Sequence, residues 1–284
     1  MSRIAIVTDT DSTLPPELAE KYHIVQIPIL IQFGEETFRT GIDIDDAATF
    51  ARIDREGKLP TTTAPTPGQF VEAFQAAFDH GAEAIICINI SCEMSATYTS
   101  AQKAAEMLPG KRIEVLDSRS CAMGQGFMAI AAAEAVARGA SVEQAIAAAE
   151  DVLGRSYLFG ALPTLKYIAM SGRVSQLAAG MAGLLDIKPV LTLQNGKLEL
   201  LEKIRTQSKA WARAVELSVE KAAGRKVERM AILHVNAPEL ARQFEALLRL
   251  DLPCPEEVIF ADLTPGLSVH TGAGMVAVVF VTEP

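Results

Sequence analysis

The run Ile4-Ala5-Ile6-Val7-Thr8-Asp9-Thr10-Asp11-Ser12-Thr13-Leu14 decides how the rest of the chain reads. Its apolar start is too short and too β-branched for a helix. It has no polar alternation, so it reads as a strand buried on both faces, with a polar cluster at its carboxyl end. The same pattern returns at residues 24–32, 84–90 and 113–117. Helical stretches separate these runs at 15–22, 47–56, 68–80, 95–108, 123–138 and 141–153. Apolar strands alternating with such helices predict an α/β domain, its sheet mainly parallel with helices on both faces. Ligands of open parallel sheets bind beyond the strands' carboxyl ends. The clusters Thr8-Asp9-Thr10, Ser91-Cys92 and Asp117-Ser118 are therefore expected to converge on one crevice.

The second half has a different texture. Composition shifts at 154–160, which predicts a first domain over 1–155 and a second over 156–284. Strands are expected at 189–193 and 197–204, joined by Asn195-Gly196, a strong signal for a tight hairpin turn. Helices are expected at 175–185, 206–223 and 238–250, and strands at 230–235, 258–261 and 275–282. A hairpin among helices predicts a mixed sheet.

The 284 residues hold 26 Lys plus Arg against 35 Asp plus Glu, a formal net charge of −9. That balance excludes a general nucleic-acid binder, which needs a basic face. No apolar run approaches the roughly 18–20 residues of a membrane span, and the first residues lack a signal-peptide core, so a cytoplasmic protein is expected. Cys87, Cys92, Cys121 and Cys254 form no C-x-x-C pair and read as reduced, buried small hydrophobes. No two histidines stand at metal-ligand spacing, so no metal site is expected.

Four segments could carry chemistry. Asp9-Thr10-Asp11-x-Thr13-Leu14 after a buried strand matches the aspartyl nucleophile motif of magnesium-dependent haloacid dehalogenase-like phosphatases, with Asp9 and Asp11 in the acidic roles. Against it, Asp45-Asp46 comes too early for the later acidic pair, and Asp262 reads as a lone acid. Pro60-Thr61-Thr62-Thr63-Ala64-Pro65-Thr66-Pro67 presents consecutive hydroxyls in a run unfit for a helix or a central strand. Thr66-Pro67 there reads as an N-cap and first helical residue, which suggests anion capture. Ser91-Cys92-Glu93-Met94-Ser95-Ala96-Thr97-Tyr98 again sets hydroxyls at the start of a helix. The basic group is Gly172-Arg173, Lys203-Ile204-Arg205 and His270-Thr271-Gly272-Ala273-Gly274, where His270 reads as part of a glycine-rich turn.

Taken in order, these segments resemble the DegV family of bacterial fatty-acid-binding proteins over nearly the whole chain. The family's T-D-S is similar to Thr8-Asp9-Thr10, and its strand with an internal proline to Val25-Gln26-Ile27-Pro28-Ile29. Its P-x-T-S-Q-P-S loop resembles the run from Pro60 to Thr66, with Ala64 in place of Gln. Its S-S-x-x-S-G-T-Y turn resembles the run from Ser91 to Tyr98, with Ala96 in place of Gly. Asp117-Ser118, Gly172-Arg173-Val174-Ser175, Ile187-Lys188-Pro189 and His270–Gly274 follow in family order, with Ala273 where proline is usual.

The resemblance implies a DegV-like fold of two α/β domains with a palmitate-like long-chain fatty acid between them. It implies a non-catalytic protein without a cofactor. A separate ATP-binding fatty acid kinase subunit would phosphorylate the carboxylate that this protein presents. Thr62 and Ser95 are the implied carboxylate ligands, and Arg173, Arg205 and His270 the implied contacts for kinase docking or phosphoryl transfer. Thr63, Met94 and Met123 are possible pocket lining, and Met128, Met170 and Met181 offer similar flexible apolar surface. Two readings compete with lipid binding: the phosphatase, and a sugar- or dihydroxyacetone-binding module of related architecture.

Overall fold

The first strand, β1 (Ile4–Asp9), is followed by a single 3-10 turn over Thr10–Ser12 and helix α1 (Pro16–Lys21). The expected strand at 24–32 is two strands, β2 (Ile24–Ile27) and β3 (Leu30–Phe33). Pro28 lies between them, which suits a residue that has no N–H donor for a ladder. Next come β4 (Glu36–Arg39), α2 (Asp46–Glu56), β5 (Thr61–Thr63) and α3 (Pro67–Asp79). Then β6 (Ala84–Asn89), α4 (Thr97–Glu106), β7 (Arg112–Asp117), α5 (Ala122–Ala137) and α6 (Val142–Gly154) follow.

This computed structural model describes residues 4–171 and 187–284. The chain divides into two units, Met1–Ile44 with Pro60–Gly154, and Asp45–Leu59 with Arg155–Pro284. A single cut near residue 155 misses the excursion at Asp45–Leu59, which packs with the second unit. Nothing in an amphipathic helix says which sheet it will cover, so α2 reads from sequence as part of the first domain.

In the first unit the strand order is β2-β1-β6-β7, all parallel. Every residue of β6 is buried, in keeping with its unbroken apolar sequence. One face packs Val7, Ile85 and Cys87 against Phe70 and Phe74 of α3 and Ala101 and Ala104 of α4. Helices α5 and α6 pack on the sheet as well, giving the doubly covered arrangement. Nearly all of α5 is buried, and its alanines and glycines permit close approach: a Cβ on Gly126 would stand 3.1 Å from the Ser12 carbonyl oxygen. A second sheet, β4-β3-β5, is antiparallel. The threonine run is thus a strand, and it lies on an edge, where flanking prolines are tolerated.

The second unit begins with β8 (Ser156–Ala161), a strand where composition alone shows only a shift, and α7 (Lys166–Ser171). Then come β9 (Lys188–Gln194), β10 (Lys197–Ile204), α8 (Gln207–Ala222), β11 (Val227–His234) and α9 (Pro238–Asp251). β12 (Ile259–Asp262), α10 (Pro265–Thr271) and β13 (Val276–Thr282) complete it. The expected helix at 175–185 lies outside the described residues. The sheet order is β10-β9-β8-β13-β11-β12, mixed because β11 pairs β12 in parallel and the other pairs are antiparallel. Asn195 and Gly196, at φ 52° and 80°, make the tight β9–β10 turn that Asn-Gly predicts. The core is built on Phe159, Phe244, Val278 and Phe280, with Trp211 packed at 5.8 Å from the Phe244 ring.

Candidate functional site

The first unit's sheet reverses its winding at β1, which has β2 on one side and β6 on the other. The carboxyl ends of β1 and β6 therefore form the switch-point crevice of an open α/β sheet. The residues there are polar and fully buried: Thr8, Asp9, Asn89 and Ser91. Thr8 Oγ1 donates to the Ile88 carbonyl at 2.8 Å and accepts from Gln125 Nε2 at 2.9 Å.

Asp9 is the centre of this network. Its Oδ2 accepts from Ile90 N at 2.9 Å and Asn89 Nδ2 at 3.2 Å, and its Oδ1 from Asp11 N at 3.0 Å. Burial raises the Asp9 carboxyl above its ordinary value, and donors from Ile90, Gln125, Asn89 and Asp11 oppose that rise. A phosphatase nucleophile needs an oxygen that can reach a substrate, whereas these oxygens are enclosed and committed to fixed donors. The aspartyl-phosphatase reading therefore finds no support. Among the described residues no group of three or more His, Cys, Asp or Glu could hold a metal ion.

The turn that leaves β6 is built from Ser91. Its N–H donates to the Ser120 carbonyl at 2.8 Å, tying it to the loop after β7. Its carbonyl accepts from Met94 N at 3.0 Å and Ser95 N at 3.1 Å, which curls the chain toward α4. Asp117 Oδ1 accepts from Cys92 N at 3.1 Å and Arg119 N at 2.9 Å, so the third polar cluster braces the same turn. The three strand-end clusters are interlinked as the sequence predicts.

Ser95 lies two residues before α4 begins, and Ala96 is the N-cap. Its Oγ lies 2.8 Å from Thr97 Oγ1 and accepts from Thr97 N at 3.3 Å. Thr97 is buried and Ser95 half-buried. When Thr97 donates to Ser95, the Ser95 hydroxyl keeps its own proton for an outside acceptor. The sequence already sets Thr97 beside Ser95 at the helix start; what it does not show is that the two hydroxyls bond to each other.

Thr62 is half-buried in β5, registered opposite Ile31 of β3. Thr63, next in the strand, is exposed and pairs with Leu30. Thr66 caps α3 through a capping box with Gln69, so the loop ends as Thr66-Pro67 predicts. Met94 is half-buried, and Met123 and Met128 are buried on α5. Met170 is 56% exposed, unlike the apolar lining expected of it. Cys92 is exposed too, so only Cys87 and Cys121 fit the fully buried expectation.

Thr62 and Ser95 thus stand on the first unit, and Arg205 and His270 on the second. Arg173, Ser175 and Met181 lie outside the described residues. Arg205 is exposed in the short link from β10 to α8. His270 is on helix α10, not in a glycine-rich turn; Thr264-Pro265, an N-cap before a first-position proline, was the sequence signal for that helix. The turn proper starts at Gly272, at φ +87°, where a Cβ would fall 2.4 Å from the Tyr167 ring. Asp262, far from alone, has Oδ1 2.7 Å from His234 Nδ1, off the hydrogen-bonding direction, and accepts from Asn236 N at 3.1 Å.

The sequence model of the DegV family matches residues 3–283. The chain belongs to the DegV family. A DegV domain-containing protein of Streptomyces coelicolor is 33% identical over 280 residues, covering 98% of this chain and 99% of that protein. The structure of a fatty-acid-binding DegV family protein from Thermus thermophilus is similar at TM-score 0.89 and 29% identity, covering 99% of this chain and 100% of that one. DegV of Bacillus subtilis, a fatty acid binding protein, is similar at TM-score 0.87 and 30% identity, with full coverage of both chains. Among the described residues no helix of this DegV protein is long and apolar enough to cross a membrane.

Proposed function

We propose that this protein binds a long-chain, palmitate-like fatty acid and presents its carboxylate for phosphorylation by a separate ATP-binding kinase subunit. The observation that carries the binding half is the Ser95–Thr97 hydroxyl pair beside the switch-point edge, in a chain similar throughout to fatty-acid-binding DegV proteins. Ser95, and Thr62 from β5, donate to the carboxylate oxygens. Thr63, Met94 and Met123 offer lining for the tail.

Energetics divide these roles. About fourteen methylenes at roughly 0.8 kcal/mol each give about 11 kcal/mol of gross burial, of which immobilisation removes at least ~4 kcal/mol. Each hydroxyl contact to the charged head adds roughly 1.5–3 kcal/mol. The tail sets affinity and the hydroxyls set orientation.

Arg205 and His270, with Arg173, serve the presenting half by contacting the kinase or the phosphate in transfer. The protein itself is non-catalytic in this reading. The test compares lipid occupancy by mass spectrometry with acyl-phosphate formation by a bacterial fatty acid kinase subunit. Arg205→Ala and His270→Ala are expected to keep occupancy near wild type and cut turnover at least tenfold. If either empties the protein of lipid while Thr62→Val with Ser95→Ala binds and turns over normally, the assignment is reversed.

A further inference from the structure

On the second unit, helices α8 and α9 line an open groove of about 950 Å³. Trp211, Val215 and Val219 of α8 and Leu247 and Leu250 of α9 give it an apolar lining. Leu250 is 76% exposed and Leu247 38%, and neither belongs to the core cluster beneath. Glu216, Glu220 and Asp251 form the polar rim, and among the described lining residues there is no Lys or Arg. Arg213, the cation beside the rim, already serves Glu202 at 2.7 Å, Glu216 at 3.0 Å and Glu220 at 3.2 Å. With Lys209, one turn before Arg213 on α8, two cations stand against Glu202, Glu216, Glu220 and Asp251, which leaves the rim negative.

We propose that this groove docks a cationic amphipathic helix of a partner protein. Its apolar side rests on Val219, Leu247 and Leu250 above the buried Trp211, and its Lys or Arg side chains meet Glu216, Glu220 and Asp251. The charge of the rim selects this occupant over the others an apolar groove attracts. A second copy of the chain would bring the same acidic rim and another net charge of −9. A fatty acid or an anionic bilayer would bring its own negative head groups against the carboxylates. Helix α9 runs 14 residues. At about 1.5 Å per residue the groove therefore seats three to four turns of a partner helix.

The chain has one tryptophan, and it forms the buried floor of the groove, so its emission senses a change in the groove above it. The full-length protein is titrated with a 14-residue Leu/Lys amphipathic peptide and with its Leu/Glu counterpart. A saturable shift in Trp211 emission is expected with the cationic peptide alone. Leu247→Ala with Leu250→Ala should weaken binding at least about tenfold, as loss of exposed apolar anchors does at other interfaces. Glu216→Gln, Glu220→Gln and Asp251→Asn together should weaken it similarly and flatten its salt dependence. Thermal melts establish that each variant folds. The proposal fails if no saturable shift occurs, if the anionic peptide binds as well, or if the double leucine variant binds like wild type. It also fails if the protein alone dimerises by sedimentation and the leucine variant abolishes the dimer, which would assign the groove to a second copy.

Discussion

Asp9 of the first unit and Asp46 of the second are both buried acids, and they are handled differently. Asp9, at the carboxyl end of β1 in the first unit, accepts from Asp11 N on one oxygen and from Asn89 Nδ2 and Ile90 N on the other. Asp46, at the first turn of α2 in the second unit, is nearly as buried, 4% exposed against 0% for Asp9. Its Oδ1 accepts from Ser268 Oγ of α10 at 2.5 Å, but its Oδ2 is buried without a partner. Burial, with Asp262 and Asp45 nearby, lifts Asp46 to about 7 against the pull of Ser268. The lesson is that burial sets the direction for both acids, and the supply of donors decides what each is for. Asp9 is a staple joining β1 to the Ser91 turn. Asp46 is a half-satisfied contact poised to titrate near neutrality.

The largest effect that would break this contrast is at Asp9. Asp9→Ala strands the N–H groups of Ile90, Asn89 and Asp11 in a buried site, at roughly 1–3 kcal/mol each. Urea unfolding should show a loss of about 3 kcal/mol or more, and a change below 1 kcal/mol would show that the network does not hold the turn.

Asp46 should respond to pH instead. Its folded value of about 7 lies above the ordinary 3.8. The native state therefore holds a proton that the unfolded chain releases. The stability tied to that proton is full below about pH 4 and is lost as pH rises through about 7. Asp46→Asn cannot titrate and should flatten this slope, leaving the variant on the order of 2–4 kcal/mol better placed relative to wild type at pH 8 than at pH 4. Melts of both proteins from pH 4 to 8 with parallel slopes would contradict it.

A smaller effect tests the α10 side. Gly272→Ala combines a left-handed φ with a Cβ inside the Tyr167 ring, which should cost roughly 1–3 kcal/mol. A variant as stable as wild type would mean that the turn behind His270 is not held by this contact.

The two units also differ in how far they could be read in advance. The parallel sheet was legible because its strands are continuous apolar runs with polar ends, and the β9–β10 hairpin because Asn195-Gly196 suits few other conformations. What stayed hidden was tertiary. The sequence of α2 shows one apolar face but not that α10 lies against it. β4, with exposed Glu36, Thr37 and Arg39, has only Phe38 as an apolar signal. Thr62 and Ser95 stood out as residues by chemistry and family order, whereas the bracing of the Ser91 turn by Asp9, Asp117 and Ser120 depends on contacts far apart in the chain.

In the proposed function, hydroxyls of the first unit hold a fatty acid head group. Protein purified from a bacterial host, extracted with solvent and analysed by mass spectrometry, tests it most directly. Wild type should carry a saturated or monounsaturated long-chain fatty acid near one per chain, and Thr62→Val with Ser95→Ala should carry clearly less. Wild-type protein that repeatedly yields no lipid and takes up no added palmitate would contradict the account.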